Sequence, residues 1–253
     1  MKDILVSVIT VSLNSSATIC DAIQSVLNQT YQHIEYIVID GGSTDGTVDI
    51  VNSFGKKISK FISGHDSGIY DAINKGIRLA TGNVVGILNS DDFFFNNDVI
   101  STIVANFDND NIDAIYGDAQ FVDKKEINKI VRYYSSKQFT PGMFKFGIMP
   151  AHPSFYVRRE LFEKYGYYRT DYKIAADYEL MIRFFYINQI RYKYIEMPFI
   201  LMRTGGISNK SVKSRIILNM EVVRACRENG IRTNYLFIFS KYFRKIFEFL
   251  NLN

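Results

Sequence analysis

The sequence predicts an α/β fold, a mostly parallel sheet flanked by helices, with an amphipathic helix at the C-terminal end. Three observations predict it. Short β-rich apolar runs alternate with segments whose apolar residues recur at helical spacing through the first half of the chain. Polar clusters of Asn, Ser, Gly and Asp separate these runs as turns. No Gly/Ser linker or internal repeat divides the halves, and there are only 4 prolines. Repeated βα units of this length specify parallel strands covered by helices.

Leu5 to Leu13 is the first strand, ending in Asn14-Ser15-Ser16, a turn and helix-start signal. Ala17 to Leu27 follows as a helix with Ile19, Ile23, Val26 and Leu27 at helical intervals. Ile34 to Ile39 is the second strand, and Asp40 to Gly46 a strong turn. Thr47 to Phe54 is a short helix and Lys60 to Ser63 a third strand. Ile69 to Ala80 is helical, closed by Thr81-Gly82-Asn83 with glycine near the C-cap. Val84 to Leu88 is a fourth strand that runs into Asn89-Ser90-Asp91-Asp92.

The second half is less regular. Ala114 to Val122 is a strand carrying Tyr116-Gly117-Asp118, followed by a basic, tyrosine-rich stretch from Lys124 to Lys137. A loop around Pro141-Gly142 and Pro150 leads to Ala151-His152-Pro153-Ser154-Phe155-Tyr156-Val157. Arg159 to Tyr165 is a short helix and Ala175 to Asn188 a strong one. From Tyr235 to Leu250, Leu236, Phe239, Phe243, Ile246, Phe247 and Leu250 recur at helical spacing, with Lys241, Arg244, Lys245 and Glu248 opposite. That segment is either a helix packed on the domain or in a dimer contact, or an interfacial helix on a membrane surface.

Composition bounds the function. With 253 residues, 47% hydrophobic and 22% charged, the chain is globular and needs no metal or disulfide to fold. A net charge of +4 is too mild for a nucleic-acid footprint. Cys20 and Cys226 have no CxxC spacing, so unpaired thiols in a reducing compartment are expected. No run of about 18 uncharged apolar residues predicts a transmembrane helix. The apolar N-terminal run lacks a small-residue cleavage site, so it reads as a strand rather than a secretory signal. The expected location is the cytoplasm, at the inner face of the cytoplasmic membrane if the tail binds lipid.

In parallel sheets, ligands bind beyond the carboxyl ends of strands. The acidic turns Asp40 to Asp45 and Asp91-Asp92 both lie at such ends. Adjacent aspartates could simply cap the next helix. Delivered together by a hydrophobic strand, they also offer oxygen ligands to a hard divalent cation bound to a diphosphate, and that cation relieves their repulsion.

Five blocks then match one family in order. Ser7 to Asn14, Ser25 to Tyr31, Glu35 to Thr47, Asp66 to Ile77 and Leu88 to Asp92 resemble successive blocks of family-two glycosyltransferases, inverting enzymes with the GT-A fold. The resemblance covers roughly residues 4 to 110, with weaker echoes to about residue 206. It implies a nucleotide-sugar donor held by residues 1–115, an acceptor half at 116–215, and a helical tail at 216–253. It implies that Asp92 binds Mg2+ or Mn2+ on the donor diphosphate, that Asp91 reaches the ribose or sugar, and that the Asp40 turn holds the base. Lys75 is the phosphate cation it suggests, against a solvated helix lysine.

By the same resemblance, Asp177 in Ala175-Ala176-Asp177-Tyr178-Glu179-Leu180 deprotonates the acceptor hydroxyl, with a plain N-cap as the bland alternative and Glu179 as its rival. A helix N-terminus would hold Asp177 ionised. His152 is placed in the acceptor region, in contact with substrate or the metal-diphosphate unless it is structural. Arg203 resembles the basic residue of a loop that closes on the donor, against a plain loop. Departures are Leu13 where an aromatic is usual, Gly41 for a second aspartate, Ile73 for an arginine and Ala176 for a glutamate. The acceptor implied is a glycan or lipid-linked saccharide, as in O-antigen or capsule synthesis. The rivals are an inactive binding protein of the same fold and a nucleotidyltransferase, which would want a glycine-rich basic loop after the first strand.

Overall fold

The computed structural model describes residues 4–107, 111–205 and 211–240. Among these, nine strands form one sheet. β1 (Val6–Ser12), β2 (Ile34–Asp40), β3 (Lys60–Ser63) and β4 (Val84–Ile87) come first in the chain. They run parallel in the spatial order β3-β2-β1-β4, with Val6 beside Ile34 and Val84. β5 (Asp92–Phe94), β6 (Ala114–Val122), β7 (Ile130–Tyr134), β8 (Tyr156–Arg158) and β9 (Tyr192–Arg203) extend the sheet as β8-β6-β9-β5, with β7 also on β6. This half is mixed: β8 is antiparallel to β4 and β6, β5 to β9, and only β6 and β9 run parallel.

Alternation along the strands makes two cores, because successive side chains point to opposite faces. Val6, Val8, Tyr36, Val38 and Val84 face one core with α1 (Ile19–Leu27). Ile9, Val11, Ile37, Ile39, Val85 and Ile87 face the other. α2 (Thr47–Ser53) sends Val51 to the first core, and α3 (Ile69–Leu79) sends Ile73 and Ile77 to the second. α4 (Val99–Phe107) covers the first, while α5 (Glu160–Tyr165), α6 (Ala176–Met181) and α7 (Val212–Glu228) cover the second.

The βα half follows the sequence pattern within a residue or two at each end. Four strands and helices add to the predicted set: β5, β7, β9 and α4. β9 is hidden by Pro198, which lies opposite Asp118 where the β6–β9 register shifts; proline enters a sheet interior only at such irregularities. The predicted helix from Ala175 to Asn188 is α6 continued by a π-helical stretch, Ile182–Ile187. No helix among the described residues is long and apolar enough to cross a membrane. Cys20 and Cys226 are both free. The predicted tail helix is seen at 235–240, where Ile238 is buried and the Phe237 ring lies 5.5 Å from Phe146; its remainder, 241–253, lies outside the described residues.

Candidate active site

Because β1, β2 and β4 are parallel neighbours, their carboxyl ends share one edge of the sheet. Side chains lace the three following loops together. Asn14, held at φ 49°, accepts from the Thr44 N–H at 3.0 Å, and its own N–H donates to Ser43 Oγ at 2.7 Å. Ser15 Oγ lies 2.8 Å from Ser90 Oγ. Asp40 is fully buried and accepts from Ser12 Oγ at 3.0 Å, Ser63 Oγ at 2.7 Å, the N–H groups of Gly42 and Ser43 at 3.1 and 2.9 Å, and Ser43 Oγ. Burial is the largest influence and pushes this carboxyl up, yet the hydroxyl and N–H donors together outweigh it and hold it below its ordinary value. Asp40 is thus the internal brace of its turn, and its oxygens are committed there.

The acid facing this turn is one that sequence reasoning passed over. One Asp66 oxygen pairs with Lys75; the other is buried with no hydrogen-bond partner among the described residues. A Cβ on Gly41 would lie 3.3 Å from that free oxygen, so a second aspartate at position 41 would press one carboxylate on another. Lys75 also pairs with Asp71 at 3.1 Å, so its ammonium is committed to two carboxylates rather than held free for a phosphate.

The acidic turn after β4 splits its two aspartates. Asp92 opens β5, is 2% exposed and accepts from Asn89 Nδ2 at 3.0 Å. Burial first, then the charge of Asp91, pushes it up to about 8 against the Asn89 and Arg203 bonds. Asp91 is half-buried. Arg203 is the last residue of β9 rather than part of a closing loop. Its guanidinium donates to the Asp91 carbonyl at 2.8 Å, pairs with Asp21 and lies 4.8 Å from the Phe93 ring centre. It braces the acidic turn, while 206–210 of the expected loop lie outside the described residues. Among the described residues no three His, Cys, Asp or Glu groups converge as a cage. Two hard carboxylates whose mutual repulsion a cation would relieve fit Mg2+ or Mn2+, which take one or two carboxylates and complete their shell with phosphate oxygens.

The second half of the chain reaches the same edge through β8. Tyr156 pairs with Gly86, and a Cβ there would lie 2.1 Å from the Tyr156 ring, so only glycine lets the strands close. The turn His152–Ser154 just before β8 therefore stands at the carboxyl end of β4. His152 Nε2 is 2.7 Å from Tyr168 Oη. The Tyr168 ring stacks on Tyr70 at 5.9 Å and 11°. Asn74, in α3, clamps the Tyr168 backbone by accepting from its N–H at 3.0 Å and donating to its carbonyl at 2.7 Å.

Asp177 lies in the first turn of α6, half-buried, and Tyr178 N–H donates to it at 2.8 Å. Burial pushes it above its ordinary value, with His152 opposing. His152 is pushed down by burial, with Asp177 opposing. Tyr70 and Tyr168 also feel the Asp177 charge, so four titratable groups from four segments meet here. The helix N-terminus does not hold Asp177 below its ordinary value, because burial outweighs it. The N–H groups entering α6 bond Glu221 of α7 instead: Lys173 at 2.7 Å, Ile174 and Ala175 at 2.9 Å. The rival Glu179 is 1% exposed and committed to Arg183 Nε at 2.9 and 3.0 Å. Asp66 and Tyr70 sit inside a motif block and were open to being read. Tyr168 and Glu221 carry no sequence signal, since only folding brings them here.

The family model described as "Glycosyl transferase family 2" matches residues 7–166. A "PGL/p-HBAD biosynthesis glycosyltransferase" of Mycobacterium tuberculosis is 31% identical over 216 residues, covering 83% of this chain and 82% of that one. An uncharacterized glycosyltransferase of Rickettsia prowazekii is 30% identical over 196 residues, covering 75% of this chain and 61% of that one. Among solved structures, Staphylococcus aureus TarS 1-349 superposes with a TM-score of 0.67 at 18% identity, over 90% of this chain and 66% of that one. Mannosyltransferase PcManGT of Pyrobaculum calidifontis, solved with GDP-Man and Mn2+, gives a TM-score of 0.65 at 20% identity, over 89% of this chain and 64% of that one. These likenesses establish a GT-A glycosyltransferase fold.

Proposed function

The chain belongs to glycosyl transferase family 2, and on that premise we propose that it transfers a sugar, with inversion, from a nucleotide-sugar donor to a hydroxyl of a growing, lipid-carried glycan. Asp177 takes the acceptor proton. The acceptor oxygen attacks the anomeric carbon while the bond to the nucleoside diphosphate breaks on the opposite face, and the diphosphate leaves with that electron pair. Burial holds this carboxyl above its ordinary value, which makes it a stronger base than an exposed aspartate. His152 and Tyr168 border Asp177 and orient it or the acceptor hydroxyl. Mg2+ or Mn2+, held by the Asp91-Asp92 turn, supplies positive charge against the departing diphosphate when bound.

On the donor side, Asp40 shapes the loop that meets the base, Asp66 offers that crevice its unpartnered oxygen, and Lys75 anchors the other Asp66 oxygen. Arg203 holds the acidic turn in place. A lipid-borne acceptor would bring the enzyme to the cytoplasmic face of the membrane, with the C-terminal tail as its peripheral contact. A homodimer through the same tail is the competing use of that surface.

The observation that carries this reading is the meeting of Asp177, His152, Tyr168 and Tyr70 at the sheet edge that also bears Asp91. Asp177→Asn is expected to lower kcat by about 10²-fold or more, while calorimetric titration with UDP and GDP in Mg2+ or Mn2+ finds donor-side affinity unchanged. If nucleotide affinity collapses with kcat, or if Glu179→Gln is the more damaging change, the base lies elsewhere.

A further inference from the structure

Ala175, the residue that caps α6, has no side-chain oxygen, and the cap comes from another element. We infer that Glu221 of α7 is a positioning residue for the general base, gripping the three backbone N–H groups that lead into the Asp177 turn. This rests on the reading of Asp177 as that base.

The grip is two-sided. Glu221 Oε1 accepts from Lys173 N–H, and Oε2 from both Ile174 and Ala175 N–H. From the opposite side, Tyr70 of α3 donates its hydroxyl to the Ile174 carbonyl. A carboxylate seated on convergent backbone N–H groups is a strong, charge-assisted arrangement. It also ends a longer seam between α7 and the preceding loop. Glu228 accepts from Tyr172 Oη at 2.8 Å, Arg224 Nε at 2.8 Å and Arg169 at 2.7 Å, and Arg224 pairs with Asp171. α7 thus fixes the stretch 169–175, and Asp177 follows two residues later.

Glu221 also acts through its charge. The groups facing Asp177 are His152 from the turn before β8, Tyr70 from α3, Tyr168 from its loop and Glu221 from α7. Of these, His152 favours the Asp177 anion and Glu221 opposes it. A bare structural cap would hold the helix without touching the basicity of Asp177. This one is built to do both.

The test is the pH profile of kcat for wild type, Glu221→Gln and Glu221→Ala, with melting curves and calorimetric UDP and GDP affinities. In Glu221→Gln the acid limb is expected to move to lower pH by about half a unit or more, because a like charge has gone. In Glu221→Ala the plateau kcat is expected to fall about tenfold through misplacement of the base, with nucleotide affinity within about twofold of wild type. Profiles of both variants superimposing on wild type would overturn the inference, leaving Glu221 a plain cap. So would a parallel fall in nucleotide affinity, or loss of folding in both variants. If Asp177→Asn itself keeps full turnover, the base assignment fails first, and that result is separate from the Glu221 profiles.

Discussion

Asp91 and Asp92 are neighbours in sequence, yet folding gives them opposite surroundings. Asp92 is 2% exposed, bonded to Asn89 and pushed up to about 8, while Asp91 keeps partial access to the crevice. Both substitutions to asparagine are expected to cut turnover by about 10²-fold, a typical effect of losing charge stabilisation of a leaving group. Their signatures should differ. Either change should weaken Mg2+-dependent nucleotide binding, but Asp91→Asn should leave the melting temperature unchanged. Asp92→Asn should alter stability against pH. An acid raised in the folded state makes the fold less stable as pH climbs from its ordinary 3.8 to about 8, because the unfolded chain releases the proton first. Cation-free melts at pH 5 and pH 8.5 (roughly the two ends of that window) should therefore differ more for wild type than for Asp92→Asn. Equal differences would place the raised proton affinity elsewhere. The pair itself was legible in the sequence. Its division was not, because it depends on β5 pairing with β9, a strand far along the chain.

At the scale of elements, one buried acid stitches the parallel half together. Glu35 of β2 accepts from Ser7 of β1 at 2.6 Å, Lys60 of β3 at 2.7 Å, and the Thr81 N–H and hydroxyl at 2.7 and 2.9 Å. Burial is the largest influence and would raise this carboxyl, but the donors together hold it at about 2. Its contribution to stability is therefore fully present above pH 4.5 and fades as pH falls through about 2. Glu35→Gln should lower stability near neutrality by about 1–3 kcal/mol, the cost of leaving buried donors poorly matched. Denaturant melts should show the wild-type advantage shrinking across that acid window. A constant difference at every pH would mean that packing, not the charge, does the stitching. The βα elements were legible because their apolar periods are clean and their turns are punctuated. β7 and β9 were not, because they are half-exposed, mix charges with aromatics, and β9 carries Pro198 at a register shift. The same limit applies to the candidate site: Asp177 stands in a motif that the sequence displays, whereas the hold of α7 on the stretch before it exists only in three dimensions.

At the scale of the whole molecule, the family match ends at residue 166, ahead of α6, β9, α7 and the tail. The surface there carries several exposed apolar residues. Val212, Ile216 and Met220 recur along α7 with 74%, 55% and 55% exposure, and Leu236 is 80% exposed. Lys213, Arg215 and Arg232 are exposed among them. Exposed apolar residues beside cations suit an anionic lipid surface, where burial and charge attraction add. The tail is not all available for that purpose. Ile238 is 0% exposed in the second core, Phe237 meets Phe146, and Thr233 donates to the Lys145 carbonyl at 2.6 Å. A cut before Tyr235 would therefore remove a core side chain, a loss of about 2–5 kcal/mol for a buried isoleucine, and should lower the melting temperature whatever the tail does. The informative cut removes 241–253, which in sequence carries Lys241, Arg244 and Lys245 with Phe243, Ile246, Phe247 and Leu250. That truncated enzyme should melt as the full chain does and still hydrolyse donor, but lose sedimentation with anionic liposomes, and the loss should be matched in the full chain by raised salt. Sedimentation that survives the cut would move the contact to α7. Aggregation or a lower melting temperature would assign 241–253 to the core and end the membrane reading of the tail.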